Sequence, residues 1–188
     1  METIISFDQE LFLFLNGLGN NRFDRFWMFL THRGSNVLVY ISIILLLSSK
    51  IKRKQIISLV IFGLILILVT DQLTNLFKVQ VGRLRPCFDS QLKDMVRLVK
   101  SSCGGKFSFF SGHASNSFAL AFFFGRVAKM HFKMVNVILI FIAGLISYSR
   151  IYIGVHYPLD IICGMLAGSI IGILFYRIWE KTKYSSEY

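Results

Sequence analysis

Four apolar stretches, residues 56–77, 112–130, 134–150 and 158–179, are long enough, or nearly so, to cross a hydrocarbon layer that takes about 20 helical residues. Inside lipid every backbone N–H and C=O must be satisfied within the protein, which leaves helices and closed barrels. None of the stretches alternates apolar with polar residues, so the spans are expected to be helical. A fifth segment, SNVLVYISIILLLSS at 35–49, is short. It reaches full length only if its helix starts near Phe26 and carries His32 and Arg33 at headgroup level. LFLFL at 11–15 is too short to span and runs into Asn16 and Gly17, which reads as an interfacial helix. The expected fold is therefore all-α, a polytopic membrane helix bundle of about five spans plus a short N-terminal interfacial helix, forming one domain over residues 1–188.

Composition agrees with the spans. The chain is 54% hydrophobic with 19 phenylalanines and only 2 prolines, and its mean hydropathy is +0.60. The N-terminal segment carries Glu2, Asp8 and Glu10 with no lysine or arginine before its apolar run, unlike a signal peptide, so it is expected to be retained. A net charge of +11 raises nucleic acid as a partner. The cations, however, fall in short clusters between apolar runs, where membrane topology explains them better. Lys50, Lys52, Arg53 and Lys54, then Arg126, Lys129 and Lys133, then Arg177, Lys181 and Lys183 mark three cytoplasmic ends. The C-terminus is then cytoplasmic, and loops 79–111 and 150–157 share the outer side. Loop 79–111 still carries Arg83, Arg85, Lys93, Arg97, Lys100 and Lys106 against Asp89 and Asp94, which an anionic ligand would explain.

In the last span Gly164, Gly168 and Gly172 recur every fourth residue, lining one helix face with residues that let backbones approach closely. Packing within one chain accounts for this better than dimerisation, and the oligomeric state stays open.

Three reactive clusters fall at the outer ends of different spans. The first is KVQVGRLRP, 78–86, where Lys78, Arg83 and Arg85 offer an ammonium and two guanidinium forks suited to phosphate oxygens, or to snorkelling at the interface. Asp71, Asn75 and Lys78 share the preceding helix face, so Asp71 either positions a basic residue or forms a structural ion pair. In the second cluster Ser111 suits a helix N-cap, with free amides behind it and a glycine, Gly112, that permits close approach. His113 beside them can exchange a proton near neutral pH, although one histidine there carries little weight alone. The third is SRIYIGVHYPLD, 149–160: Pro158 suits the first helical turn, His156 lies in the turn ahead of it, and Asp160 follows where it can accept a hydrogen bond from His156. That bond would fix the imidazole tautomer and free the other nitrogen for attack. Arg150 adds a further guanidinium. Two histidines, one carboxylate partner and several cations fit phosphoryl transfer through a histidine nucleophile. A metal site is the competing chemistry, but too few carboxylates, histidines or cysteines gather on the outer side to favour it.

Together these residues resemble the type 2 phosphatidic acid phosphatase family, integral membrane lipid phosphatases related to the vanadium haloperoxidases. The family pattern is Lys-x6-Arg-Pro, then Pro-Ser-Gly-His, then Ser-Arg-x5-His-x3-Asp; Lys78, Arg85 and Pro86, Ser111 to His113, and Ser149, Arg150, His156 and Asp160 answer to it. One position departs: Phe110 stands where the family has proline. The resemblance implies that His156 forms a phosphohistidine, Asp160 orients it and His113 protonates the leaving oxygen. Lys78, Arg85, Ser111, Gly112 and Arg150 would hold the phosphate, and no metal or other cofactor is required. Arg83 occupies no motif position.

The implied reaction is removal of phosphate from a lipid phosphate or diphosphate at the outer face of an inner membrane. The chain's small size is similar to the undecaprenyl diphosphate phosphatase branch, with lipid A or phosphatidylglycerol phosphate as alternatives. A lipid-linked phosphotransferase and a noncatalytic transporter are the readings of a different class. Cys87 and Cys103, both in the outer loop, are expected to pair if that face is oxidising. Cys163 reads as a small core residue.

Overall fold

A computed structural model of the protein describes residues 2–185, leaving aside the side chains of Glu2 and of residues 183–185, so that of Lys183 lies outside the described set. Among the described residues seven α-helices follow one another: α1 Glu2–Gly17, α2 Asp24–Thr31, α3 Arg33–Ser48, α4 Arg53–Val81, α5 Gly112–Lys129, α6 Val135–Tyr152 and α7 Pro158–Ser185. Among the described residues there is no strand, only an isolated antiparallel bridge between Leu84 and Phe107. The α4–α5 and α6–α7 connections meet at one end of the bundle, where Arg85 from the first and His156 from the second line one cavity.

Local signals set the helix ends. The Gln55 side chain accepts from the Lys52 backbone N–H at 3.2 Å to open α4. Gly82 closes it in the left-handed region, φ 64°, where a side chain would be strained. Ser111 caps α5, its hydroxyl accepting from the Ala114 N–H at 3.4 Å. Pro158 begins α7, where its missing N–H leaves no helical bond unmade.

Three helices, Arg53–Val81, Val135–Tyr152 and Pro158–Thr182, are individually long and apolar enough to cross a membrane, and the pair Asn21–Thr31 and Arg33–Ser48 passes the same test together but is bent by 56°. Two expectations change here. The continuous helix expected from Phe26 is broken at His32, which takes an extended backbone and accepts from the Gly34 N–H at 3.1 Å, starting a new helix. The segment 112–130 is helical, but α5 is less apolar than its neighbours because protein surrounds it. Twelve of its 18 residues are buried, including Ser115 and Ser117.

Lipid-facing positions lie instead on the outer helices, as with Ile61, Leu64 and Leu68 on α4 or Phe141 on α6. The tightest seam is between α5 and α7. A Cβ at Gly164, Gly168 or Gly172 would lie 2.6, 2.1 or 2.3 Å from the backbone oxygens of Ser111, Ser115 and Ala119 respectively. The glycine stripe thus packs inside the monomer.

Helix α1 is longer than the apolar run that suggested it. Its inward stripe is Asp8, Phe12 and Asn16, spaced four residues apart and each at most 2% exposed. Ile4, Phe7 and Phe14 face outward. Phe12 meets the Tyr157 ring edge-on at 5.4 Å, and the Asn16 amide donates to the carbonyls of Ile151 and Tyr152, both at 3.0 Å. This helix therefore seals the end of the bundle where the α6–α7 turn lies.

Candidate active site

Three chain crossings deliver the reactive residues to that end. Lys78 leaves the last turn of α4. Beyond Gly82 the chain pairs briefly with 106–108: Arg85 N–H donates to the Lys106 carbonyl at 3.1 Å and Ser108 N–H to that of Arg83 at 2.8 Å. In extended backbone alternate residues point to opposite sides. Arg85 consequently lines the same cavity as Lys78, whereas Arg83 does not.

This corrects the reading of Arg83 as a phosphate ligand. Its guanidinium lies 3.9 Å from the Tyr157 ring centroid and bridges two buried carboxylates, Asp8 at 2.6 Å and Asp160 at 3.1 Å. Asp8 also accepts from the Leu159 N–H at 2.8 Å. Sequence reasoning passed over Asp8. The available signal was a lone acid on the same face of a short apolar helix as Phe12 and Asn16.

Asp160 is completely buried in the first turn of α7. Its Oδ2 accepts from the Tyr157 N–H at 3.0 Å and lies 3.3 Å from His156 Nδ1. Burial first, then the positive charges of Arg150, Arg85 and Lys78, hold the His156 imidazole well below its usual 6.5. At neutral pH the ring is thus uncharged. A neutral ring bonded to a carboxylate carries its proton on Nδ1, which leaves the Nε2 lone pair free.

The sign of the pH dependence follows. Because the native value is depressed, the uncharged ring persists below pH 6.5 and is lost only as pH falls through that lower value. Histidine 15N NMR of detergent-solubilised protein, assigned by the resonance missing in His156→Gln, should show this ring neutral at pH 6.5. A ring half-protonated at that pH would contradict the charge arrangement.

The remaining ligand candidates, all but Ser111, converge on the same cavity, of about 520 Å³, lined by Lys78, Arg85, Gly112, His113, Arg150 and His156 at its polar end. Arg85 is pinned by the carbonyls of Phe107 at 3.2 Å and Cys103 at 2.5 Å. Arg150 donates to Thr31 Oγ1 at 2.5 Å, while its buried Nε has no hydrogen-bond partner among the described residues. An anion in the cavity would satisfy such a donor. Ser111 is buried, with its hydroxyl used as the helix cap and its N–H donated to the Asp160 carbonyl at 3.0 Å. That bond ties the start of α5, and so His113, to the turn that carries His156.

Phe110, in place of the family's proline, is 3% exposed and packs on Phe77 with ring centroids 5.3 Å apart. Aromatic burial thus anchors the segment before Ser111. Cys87 and Cys103 meet sulfur to sulfur, their Cα atoms 6.3 Å apart, across the loop that holds Arg85. Asp71 bonds not to Lys78 but to the Asn116 amide, at 2.7 Å. Among the described residues no group of three or more His, Cys, Asp or Glu side chains is arranged to hold a metal ion.

Residues 56–184 match the PAP2 superfamily. Over 180 residues, 95% of this chain and 75% of the relative, the sequence is 34% identical to a protein of Porphyromonas gingivalis named lipid A 4'-phosphatase. A protein of the same name from Bacteroides thetaiotaomicron is 34% identical over 96% of this chain and 80% of its own. A crystal structure of Aquifex aeolicus LpxE superposes with a TM-score of 0.68 at 27% identity, covering 89% of this chain and 93% of that one. With a family match over more than half its length and relatives similar nearly end to end, the chain belongs to the PAP2 superfamily.

Proposed function

We propose that this integral membrane protein hydrolyses a phosphate monoester on a lipid, with a phosphorylated glycolipid of the lipid A kind as its substrate. The observation that carries the reading is the shape of the cavity. Its cationic end opens onto an apolar groove between α3, α4 and α5, walled by Tyr40, Ile44, Leu64, Ile67 and Phe124. A phosphate at the cations then has its hydrocarbon running along the groove.

In this mechanism His156 Nε2 attacks phosphorus in line while the bond to the lipid oxygen breaks, and His113 gives that oxygen a proton. Lys78, Arg85, Arg150 and the amides at the start of α5 hold the three peripheral oxygens as charge builds on them. Water then attacks the phosphohistidine, His113 takes the proton back, and inorganic phosphate leaves with His156 neutral again. Asp160, held by Arg83 and the Tyr157 N–H, keeps the ring aimed throughout. The basic ends of α3, α5 and α7 lie opposite the site, which supports an inner-membrane orientation with the site outside and the C-terminus in the cytoplasm.

The motifs report the phosphate and say little about the tail, and the expectation of undecaprenyl diphosphate rests on the chain's small size. Similarity to a protein named undecaprenyl-diphosphatase, from Sulfolobus acidocaldarius, covers 36 residues, 19% of this chain. Similarity to the two lipid A 4'-phosphatases extends through the tail groove. The test is phosphate release by purified protein from lipid A, phosphatidylglycerol phosphate and undecaprenyl diphosphate, with phosphate formed compared with lipid consumed. Lipid A should be preferred by about tenfold or more in kcat/KM. Preference for undecaprenyl diphosphate overturns the substrate, and phosphate appearing on another acceptor overturns hydrolysis.

A further inference from the structure

The tail groove contains a feature that a hydrocarbon tail does not require. Asp71 and Lys78 lie on one face of α4 and line the same cavity. Seven residues of helix separate them by about 10 Å along the axis. A carboxylate at that depth is costly unless it has a partner or a task. Its partner here is uncharged: Asp71 Oδ1 accepts from Asn116 Nδ2 at 2.7 Å.

The Asn116 amide is itself oriented from behind. The Thr70 hydroxyl donates to Asn116 Oδ1, so the amide's nitrogen is the end presented to Asp71. Among the described residues Asp71 Oδ2 carries no hydrogen bond, and Thr74 Oγ1, buried on the wall of the same cavity, has no partner either. Asn36 and Asn75 complete a polar belt between the cations and the aliphatic part of the groove. Methylene groups against such a belt would leave polar atoms dry and unpaired.

We propose that Asp71, held by Asn116, is a specificity-determining acceptor for a hydroxyl or amide N–H on the lipid headgroup, within about 10 Å of the phosphate that is removed. The ligand class is a phosphorylated, acylated sugar, whose amide and hydroxyl groups supply such donors, rather than a polyprenyl or diacylglycerol phosphate, which has none there. The inference rests on the glycolipid reading above and names the residue that enforces it. Asp71 is exposed on the groove wall, so the site discriminates when a lipid covers it: a substrate without a donor leaves the carboxylate desolvated and unpaired, whereas one with a donor restores the bond lost to water.

The experiment compares purified wild type, Asp71→Ala and Asp71→Asn on a monophosphorylated acylated glucosamine lipid, on phosphatidic acid with matching acyl chains, and on a polyprenyl diphosphate. Asp71→Asn keeps the size and an oxygen for Asn116, so it separates recognition from bracing of α4 against α5. In the wild type the sugar lipid should be preferred over both others. Asp71→Ala should lower the ratio of kcat/KM for the sugar lipid over phosphatidic acid by about 10- to 100-fold, mostly through KM, with Asp71→Asn between. Equal losses on both lipids, or none on either, overturn the subsite and leave Asp71 as a helix brace. A wild type that prefers the polyprenyl diphosphate fails at the first comparison, overturning the glycolipid reading and the subsite with it.

Discussion

Replacing His156 by alanine is expected to lower phosphate release by about 10⁴-fold or more while leaving the helix bundle intact. The expectation rests on three features of the turn. His156 is 1% exposed, its Nδ1 lies 3.3 Å from Asp160 Oδ2, and the residue lines the cationic end of the cavity. Lys78, Arg85 and Arg150 would still bind the phosphate, so KM should change far less than kcat. A graded companion is Arg83→Gln, which removes one partner each from Asp8 and Asp160 without touching the cavity. Misaiming rather than deleting the nucleophile should cost on the order of 10- to 100-fold, in kcat. Both rates are read from phosphate release in detergent, with thermal unfolding as the check on folding. Turnover within threefold of wild type by His156→Ala would remove the proposed nucleophile.

A single methyl group at Gly168 should be nearly as damaging for a different reason. Its Cβ would lie 2.1 Å from the Ser115 carbonyl oxygen and 2.9 Å from that residue's Cα. Those are backbone atoms, which cannot rotate aside, so α7 must move from α5 by about 1 Å in a close-packed seam. Overpacking of this kind costs about 1–3 kcal/mol or more. The functional loss should be larger than the stability loss suggests. Helix α7 carries Asp160 and the turn with His156, α5 carries His113, and the bond from Ser111 N–H to the Asp160 carbonyl joins them. A shift of that size between reacting groups lowers the rate by about 100-fold. Gly144→Ala is the control, since nothing lies within 4 Å of a Cβ there. Gly168→Ala with unchanged melting temperature and rate would mean that the α5–α7 seam is looser than described.

Much of this was legible in the residues because the signals are local. Apolar length announced the membrane helices, Ser111 and Pro158 marked helix starts, and the spacing of His156 and Asp160 across a turn brought their side chains together without any long-range contact. The failures have a common physical form. Arg83 and Arg85 are the same residue type two positions apart, and only the pairing of 83–85 with 106–108 sends one to the cavity and the other to Asp8. His32 could be placed in a continuous helix on hydropathy alone, yet its own side chain caps the next helix and bends the span.

The sequence by itself determined that the protein crosses a membrane and gathers a histidine, a carboxylate and several cations at one end, because helix length, caps and motif spacing act over a few residues. The tertiary structure alone decided which groups face the cavity. Asp8 lies 152 positions before Asp160, and Arg83 between them reaches both. Asp71 takes Asn116 rather than Lys78 because α5 lies against α4 at that level. Such pairings depend on how buried helices pack, and packing is settled by shape and by the cost of leaving a polar group alone.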